Sequence, residues 1–573
     1  MKHVNLLVIT LAILAGLFSC NQQTGYPVVQ TSLPRIDQMP AIPQPLKIIN
    51  WKKKTLQFDS LVFNFKNTAS YGPLIWLDSS RRNIDQVTFG LYTVIGDVRQ
   101  GPKKNNGEFH EALTSMNSLI SAGLNGIDKT SQHGFNFVKM VQNYFNSGTK
   151  WNIVMNNTNP TVALAGGGYG RDWWYDVYPN VLYYGVAALN PKVENTEFIQ
   201  HKVAEQFFKA DSVLNGNYDY SYFDYAQMKG MRNNIPLQQD VAGGHAWVLY
   251  SAYQKFGDKR YLKGAKSATQ ALVNQKESHF YEMLLPFGTY TAARLNAEQG
   301  TNYDVTKMLN WIFDGCQSKE GRYGWGVITG KWGDYDVSGL QGSITDGGGY
   351  AFLMNSVAMA WPLVPMVKYE PQYAKAIGKY MLNVVNAARL FYPDQVDNEH
   401  QWLPDMKDLT HGIIGYEGLR KLDDYGNPAL KGISPVSIGD GPKWTKGQPK
   451  ESMFSLYSTS IAGIFGAIVN ETEVEGILAL DCNITDFYAE NKYPEFLYYN
   501  PYNDSRTVTY TSGESVDLFD IVSKKYLVKD GSGKMSFKLP PGEATLMVVL
   551  PAGTHLKSEG LKVKAGNVVI AYK

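Results

Sequence analysis

Twelve segments with helical periodicity follow one another in pairs along residues 108–473, and this repeat constrains the fold more than any other feature. Each pair takes roughly fifty residues, the length of a helical hairpin with its connections. The segments lie at residues 110–122 and 133–146, 171–190 and 196–214, 238–256 and 259–275, 283–299 and 304–314, 347–367 and 372–391, and 408–422 and 453–469.

In several pairs the first helix is apolar around its circumference and the second is amphipathic. Residues 241–250 (VAGGHAWVLY) leave no polar face wide enough for solvent, whereas the next helix places Leu262 and Leu272 on one side and Lys263 on the other. An apolar helix followed by an amphipathic one is what an inner ring inside an outer ring requires. The sequence therefore predicts a mainly α fold with β structure, built on an (α/α)6 toroid of six helical hairpins.

The periodicity changes to that of strands from about residue 474. Short apolar runs such as 545–550 (TLMVVL) are separated by Gly, Pro, Asn and Asp turns, which predicts an antiparallel β-sandwich over residues 474–573. Residues 51–66 also alternate like strands. We therefore expect a β-containing extension over residues 51–107, ahead of the toroid.

The beginning of the chain has the pattern of a bacterial export signal. An apolar stretch over residues 4–18 follows a positive start and is too short to span a bilayer. The run LFSC ending at Cys20 resembles a lipobox, in which the cysteine is lipidated; an ordinary secretory signal is the alternative. The prediction is a signal peptide (1–19), a Pro-rich tether (20–50), and a lipid anchor holding the protein in the bacterial envelope, at the cell surface or the periplasmic face of the outer membrane.

Composition narrows the classes of partner. The net charge of +2 gives no electrostatic case for nucleic acid. Aromatic residues reach 13%, which suits either a core or stacking on the apolar faces of sugar rings. No phosphate-binding loop, metal-spaced His pair or nucleophile elbow is present, and we predict no cofactor and no metal. Cys316 and Cys482 are expected to be buried free thiols.

Carboxylates, aromatic rings and glycines recur in the loops before the apolar helices. In a closed ring these loops meet at one rim, where helix N-termini offer free N–H groups and positive dipole ends. The candidate catalytic carboxylates are Asp172, Asp240, Asp346 and Glu417. The candidate substrate-binding residues are Arg171, Trp174, Tyr175, His245, Trp325, Trp332, Tyr350 and His411.

Each candidate also has a purely structural explanation. The aspartates are common helix N-caps, because their side chains accept an unpaired backbone N–H. His245 on an inner helix fits a hydrogen-bonded core residue as well as an acid or base. Arg171 suits the carboxylate of a uronic acid, but it also suits a local ion pair. The sequence leaves these alternatives open.

Together, the lipobox, the N-terminal β segment, the twelve-helix ring with acids and aromatic rings at its rim, and the strand-rich C-terminus resemble the (α/α)6-toroid glycoside hydrolases and polysaccharide lyases of glycan-degrading bacteria. Among these the likeness is to members that act on uronic acids, such as β-glucuronidases. The resemblance implies a glycoside hydrolase acting on an oligosaccharide or polysaccharide. Two carboxyls would serve as acid and base, and an inverting reaction would hold them about 6.5–9.5 Å apart.

Two alternatives stay open beside hydrolysis. A polysaccharide lyase would abstract the proton next to a uronate carboxyl with a residue such as Tyr175, His245 or His411, after Arg171 or Asn234 neutralises that carboxyl. A glycan-binding surface lipoprotein without catalysis would resemble the helical partners of outer-membrane glycan transporters.

Overall fold

The computed structural model describes residues 26–159, 171–344, 349–560 and 562–572. The α-helices in these ranges are α1 (Pro34–Asp37), α2 (Trp51–Val62), α3 (Ala112–Leu124), α4 (Phe137–Met140), α5 (Trp173–Leu189), α6 (Thr196–Leu214), α7 (Val241–Phe256), α8 (Lys259–Asn274), α9 (Leu284–Gln299), α10 (Val305–Asp314), α11 (Leu353–Ala358), α12 (Ala360–Tyr369), α13 (Ala374–Ala387), α14 (Lys407–Thr410), α15 (Gly441–Trp444), α16 (Leu456–Thr459) and α17 (Gly463–Ile468). Over the described ranges, none of the helices has the length and apolar character needed to cross a membrane.

Six inner helices contact one another in a closed cycle. Helix α3 packs on α5, α5 on α7, α7 on α9, α9 on α12, α12 on α17, and α17 on α3. Their apolar circumference is explained by this position: every residue of α7 from Val241 to Ala252 is buried. The amphipathic helices α6, α8, α10 and α13 lie outside this cycle, each against an inner neighbour. The segment predicted as a helix over 133–146 is broken into three short pieces: the end of a 3-10 helix, Gln132–Gly134, then α4, then a second 3-10 helix, Val141–Tyr144.

The N-terminal helix α2 takes the outer position beside α17. The prediction of strands within residues 51–66 is therefore wrong. The side chain of Asn50 caps α2 by accepting a first-turn backbone N–H at 2.8 Å. Trp51, Phe58 and Val62 are buried at helical spacing. The apolar pattern of this short stretch fits both periods, and burial against α17 selects the helix.

The helix predicted over residues 408–422 is also wrong beyond its first turn. Helix α14 ends at Thr410, and both His411 and Gly412 have left-handed backbone conformations, with φ of 49° and 65°. A continuous right-handed helix cannot pass through such residues. The chain after them enters a strand instead.

The strands are β1 (Ile75–Asp78), β2 (Thr88–Leu91), β3 (Tyr222–Asp224), β4 (Lys229–Met231), β5 (Trp325–Val327), β6 (Lys331–Trp332), β7 (Tyr335–Asp336), β8 (Gln341–Ser343), β9 (Tyr350–Phe352), β10 (Gly418–Arg420), β11 (Val436–Ile438), β12 (Val469–Glu471), β13 (Leu478–Asp481), β14 (Glu495–Tyr499), β15 (Arg506–Asp520), β16 (Lys525–Leu539), β17 (Ala544–Pro551), β18 (Leu556–Glu559), β19 (Lys562–Ala565) and β20 (Val568–Tyr572). Strands β1 and β2, β3 and β4, and β6 and β7 form two-stranded pairs.

A five-stranded antiparallel sheet has the order β11-β10-β9-β8-β5. Three of its strands come from segments predicted as loops, whereas β9 and β10 lie in the segments predicted as helices over 347–367 and 408–422. Its register places Tyr350 between Ser343 and Arg420, and it places Trp325 opposite Ser343. Glu417 immediately precedes β10. The sheet therefore gathers residues from the loops before and after α11 and α12 and positions them beside the inner helices.

The C-terminal strands form a six-stranded antiparallel sheet, in the order β12-β13-β14-β17-β15-β16, and a three-stranded sheet of β18, β19 and β20. One face of the larger sheet packs on α12, α13 and α17, and its residues Leu480 and Leu497 belong to the main core. On its other face Leu518, Phe537 and Met547 form a second, smaller core. The C-terminal region is rich in strands, as predicted. In the predicted sandwich a second sheet would cover the large sheet, whereas helices cover one of its faces in the structure.

The segment predicted as a tether is packed against the body over its described part, residues 26–50. Leu33 and Ile36 are fully buried, the backbone N–H of Thr31 donates to Gln372 O at 2.8 Å, and Arg35 Nε donates to Val327 O at 2.9 Å. Apolar residues between the prolines thus make this segment a strap. The predicted signal sequence and Cys20 lie outside the described residues.

Candidate active site

A cleft of about 500 Å³ lies where the N-terminal ends of the inner helices meet the five-stranded sheet. Glu111 precedes α3, Tyr175 lies in the first turn of α5, and Glu282 stands two residues before α9. The residues around the cleft are rich in carboxyls and aromatic rings: Glu111, Glu282, Glu417, Asp440, Tyr175, Tyr281, Trp325, Tyr350, Trp444, Tyr457 and Arg322 are among them.

Glu282 has the most unusual environment of the cleft carboxyls. Its side chain is buried, and its Oε2 has no hydrogen-bond partner among the described residues. Its backbone adopts a left-handed conformation, with φ of 57°. Burial raises the pKa of Glu282 to about 8; a hydrogen bond with Tyr281 and the charge of Arg322 oppose the rise, and the charge of Asp172 adds to it. This carboxyl is therefore largely protonated near neutral pH.

Glu417 is held by two hydrogen bonds. The hydroxyl of Tyr457 donates to its Oε1 at 2.8 Å, and the backbone N–H of Asp440 donates to its Oε2 at 3.2 Å. Burial and the charge of Asp440 raise the pKa of Glu417 to about 7, although the two hydrogen bonds and the charge of Arg420 oppose the rise. Arg420 also pairs with Asp440 at 2.6 Å. The result is a carboxyl of fixed orientation that titrates near neutrality.

Glu111 is the third cleft glutamate. It is buried before α3, and its Oε1 lies 3.9 Å from Arg99 Nη2. Burial raises its pKa to about 7, with Arg99 opposing the rise. The same guanidinium pairs with Asp97 at 2.7 Å and lies 3.9 Å from the centre of the Trp444 ring.

Aromatic rings and arginines form the remaining wall. The rings of Tyr281 and Trp325 meet edge to face with centres 5.6 Å apart, and Trp325 lies 6.5 Å from Tyr350. Arg322 lies 4.8 Å above the Tyr281 ring, and Arg420 lies 4.5 Å above the Tyr350 ring. Rings beside cations suit a ligand that has both apolar faces and negative charge.

Four predicted site residues line the cleft, namely Glu417, Tyr175, Trp325 and Tyr350. Three of them lie within or beside the five-stranded sheet, and Tyr175 lies on α5. Asp346 falls outside the described residues.

Asp172 and Asp240 lie behind the cleft lining. Asp172 is the N-cap of α5: its Oδ1 accepts the backbone N–H of Trp174 at 3.1 Å and the side-chain amide of Gln238. The Asp240 side chain does not cap α7. Its Oδ2 accepts the backbone N–H of Tyr281 at 3.1 Å. Both aspartates are buried and bound to protein groups, so neither carboxyl faces the cleft.

Arg171 and Trp174 are also directed into protein contacts. The Arg171 guanidinium lies between the rings of Trp151 and Tyr222, at 4.1 and 4.5 Å, and pairs with Asp176 at 3.6 Å. Trp174 is buried and stacks on another ring of α5.

The remaining three predicted residues lie away from the cleft. His245 is fully buried, its Nε2 is 2.8 Å from the Tyr225 hydroxyl, and burial lowers its pKa to about 3. Trp332 belongs to the main core, in the β6–β7 hairpin. His411 is an exposed residue at the end of α14. We therefore omit these three residues, together with Arg171 and Trp174, from the site proposed below.

Several residues of the cleft were not predicted from the sequence, although the sequence position of some of them could have identified them. Glu111 and Glu282 stand before inner helices, in the same position as the aspartates that were selected. Arg322 lies in the glycine- and aromatic-rich run before β5. Asp440 and Tyr457 reach the cleft only through the pairing of β10 with β11 and the packing of α16, which no local pattern indicates.

Over the described ranges, no cluster of three or more His, Cys, Asp or Glu side chains is arranged to hold a metal ion. Cys316 and Cys482 are buried free thiols, as predicted. Burial raises the pKa of Cys316 to about 12, so this thiol is not ionised near neutral pH.

No known protein family matches the sequence. No curated protein matches it either. Among solved structures, a GH127 β-L-arabinofuranosidase from Geobacillus stearothermophilus T6 matches 91% of this chain and 85% of its own at 10% identity and a TM-score of 0.35. A second GH127 β-arabinofuranosidase matches 93% of this chain and 85% of its own at 12% identity and a TM-score of 0.38. An endoglucanase from Clostridium thermocellum, in complex with cellotriose, matches 91% of this chain and 99% of its own at 12% identity and a TM-score of 0.32.

These matched proteins are glycoside hydrolases. At such low identities and TM-scores, the likeness carries no argument about the chemistry of this chain. The function proposed below rests on the residues of the cleft.

Proposed function

We propose that this protein is a glycoside hydrolase that cleaves an oligosaccharide or polysaccharide in the cleft described above. We interpret the cycle of inner helices as an (α/α)6 toroid whose rim carries this cleft. The observation that supports the proposal is the convergence of three glutamates with raised pKa and a wall of aromatic rings in one cavity. Glycosidic hydrolysis requires a protonated carboxyl, an ionised carboxyl and a surface on which a sugar ring stacks.

Glu282 is the proposed general acid. Its proton passes to the glycosidic oxygen as the bond from that oxygen to the anomeric carbon breaks. The pKa of about 8 keeps the proton on this carboxyl at neutral pH. The side chain lines the cleft, where a bound substrate would lie.

Glu417 is the proposed general base, which takes a proton from the water that attacks the anomeric carbon. Its two hydrogen bonds fix its orientation, and its pKa of about 7 suits a base that works near neutrality. Glu111 is the second candidate for this role. We propose inversion of the anomeric configuration, which proton NMR of the first-formed product tests directly.

The proposed substrate carries a uronic acid. Arg322 and Arg420 stand over the ring wall of the cleft, and a guanidinium is suited to bidentate binding of a carboxylate. Of the two, Arg322 lines the cleft itself, next to the proposed acid. We therefore assign recognition of the sugar carboxylate to Arg322.

We also propose that the mature chain is lipidated at Cys20 and anchored in the bacterial envelope. The basis is the N-terminal sequence pattern alone. Cys20→Ser is expected to move the protein out of the membrane fraction of the producing cell. An unchanged membrane fraction would remove the lipid anchor from the proposal.

The experiment for the catalytic proposal is a screen of the purified protein against uronic-acid oligosaccharides that follows both new reducing ends and ultraviolet absorbance. A hydrolase releases reducing ends without an unsaturated chromophore. Glu282→Gln and Glu417→Gln are expected to lower kcat by about a hundredfold to ten-thousandfold, whereas the exposed Glu514→Gln serves as the matched control. An unsaturated product would identify a lyase, and binding without turnover would identify a binding protein.

A further inference from the structure

Two buried side chains hold the backbone around Glu282, one at the N–H of the preceding residue Tyr281 and one at the carbonyl of Glu282 itself. Asp240 Oδ2 accepts the backbone N–H of Tyr281 at 3.1 Å, and Gln341 Nε2 donates to the backbone carbonyl of Glu282 at 3.0 Å. Asp240 is 2% exposed and Gln341 is fully buried. Gln341 is fixed in turn, because its backbone N–H donates to Ser356 Oγ at 2.9 Å.

These two side chains come from different parts of the fold. Asp240 immediately precedes α7, and Gln341 begins β8 of the five-stranded sheet. A side chain at Gly243 would collide with the backbone carbonyl of Leu284, so the glycine allows α7 and α9 to pack closely. That close approach places Asp240 against the segment that leads into α9.

The backbone between the two anchors is in an unusual state. Glu282 has φ of 57°, a left-handed conformation that residues other than Gly, Asn and Asp rarely adopt. Such conformations persist only where the surrounding structure imposes them. The side chain at this position lines the cleft, and its Oε2 is without a hydrogen-bond partner in the described part of the chain. The placement of the Glu282 carboxyl therefore depends on backbone contacts that lie outside the cleft.

We propose that Asp240 and Gln341 are positioning residues that hold Glu282 in the left-handed conformation from which it protonates the leaving group. This inference rests on the proposed function. It gives Asp240 a role through the backbone of the acid, without contact with the substrate. It also predicts that loss of either anchor weakens the general-acid step and leaves the remaining chemistry intact.

The test compares phenyl and dinitrophenyl β-glucuronides. A phenolate leaves poorly and needs the acid, whereas dinitrophenolate leaves without protonation. Gln341→Leu and Asp240→Ala are expected to lower kcat on the phenyl substrate by about tenfold to a hundredfold. Both variants should change kcat on the dinitrophenyl substrate by less than about threefold, and Glu282→Gln should show the same pattern more strongly.

The matched control is Gln206→Leu. Gln206 is another buried glutamine, whose side-chain amide donates to the backbone carbonyl of Tyr225 at 2.8 Å. It should leave the ratio of the two rates unchanged. Gln341→Asn keeps the amide but withdraws it by one methylene, so it provides a milder second variant if Gln341→Leu does not fold.

The outcomes separate the inference from the proposed function. A Gln341 or Asp240 variant that slows both substrates equally, or neither, overturns the positioning role while Glu282→Gln still shows its leaving-group dependence. If Glu282→Gln itself lacks that dependence, the acid assignment fails. If the unaltered protein cleaves neither glucuronide, the proposed uronic-acid hydrolysis fails and the inference fails with it.

Discussion

Replacing Glu282 with glutamine should stabilise the folded protein while it abolishes the proposed acid. A buried carboxyl whose pKa is about 8 in the folded chain has an ordinary value of 4.5 when the chain unfolds. Below pH 4.5 the group is protonated in both states, so its contribution to stability is fully present. As the pH rises through 4.5 toward 8, the unfolded chain loses this proton while the folded chain keeps it. Stability therefore falls across this window.

The size of the effect follows from the pKa difference. A difference of about 3.5 units corresponds to about 5 kcal/mol in the free energy of unfolding, reached above pH 8. At pH 7 the loss is about 3 kcal/mol, and at pH 4.5 it is less than about 1 kcal/mol. The glutamine cannot ionise, so the variant escapes this loss. The protonated carboxyl of Glu282 and the amide of the glutamine are both neutral hydrogen-bond donors of similar size. The free-energy cost of burying either group is therefore similar, and it contributes little to the difference in stability between the two proteins.

The assay is urea unfolding of the unaltered protein and of Glu282→Gln at pH 5, 7 and 8.5, with exposed Glu514→Gln as the control. The difference in unfolding free energy should grow with pH, because the other buried glutamates are common to both proteins and cancel. A variant that is no more stable than the unaltered protein at pH 8.5 would refute the reasoning. A stabilisation of the same size at pH 5 would also refute it, because it would not come from ionisation.

Four further substitutions test the site and the fold. Arg322→Gln should raise KM for uronic-acid substrates about tenfold to a hundredfold, because charged hydrogen bonds to the carboxylate are lost. Steady-state kinetics measure this effect, with the corresponding neutral sugar as the control substrate. Tyr457→Phe removes a bond that lowers the pKa of Glu417, so the acid limb of the pH–rate profile should move to higher pH. Asp172→Ala should destabilise the fold by about 0.5–2 kcal/mol in urea unfolding through loss of the α5 cap. Ile36→Ala should cost about 2–5 kcal/mol in the same assay if residues 26–50 are a packed strap, and nothing if they are a free tether.

The inner helices could be predicted because a helix that is buried on all sides must be apolar over a long, continuous run of sequence. Helix α7 has twelve consecutive buried residues, from Val241 to Ala252. In a globular protein, a helix buried on all sides explains an apolar run of this length. The five-stranded sheet could not be predicted in the same way. Its strands have three residues each, too few to show a period. The pairing of β9 with β10 also joins Ala351 to Leu419, 68 residues further along the chain.

The cleft lies at the end of the helices where the sequence analysis looked for it, but two of the candidate acids, Asp172 and Asp240, do not line it. Asp172 and Asp240 are short carboxyls, so they reach backbone N–H groups close to their own helices and are used there. Glu111 and Glu282 stand in equivalent positions but have one more methylene, and their carboxyls reach the cleft. Sequence position thus identified the loops, whereas side-chain length decided which carboxyls face the cavity.

The same geometry explains why Asp240 looked catalytic. In a ring of helices, the residues that precede successive inner helices converge, so an acid that supports a neighbouring loop occupies the same kind of position as an acid that touches substrate. The features that suit Glu282 to acid catalysis are burial, a free oxygen and a left-handed backbone, and each of them lowers the stability of the fold. A residue in that state needs support from outside the cleft. Asp240 and Gln341 give this support, because they are buried polar side chains that hold the backbone around Glu282 from the side away from the cleft. We expect an acid in such a conformation to be supported in this way by buried polar groups.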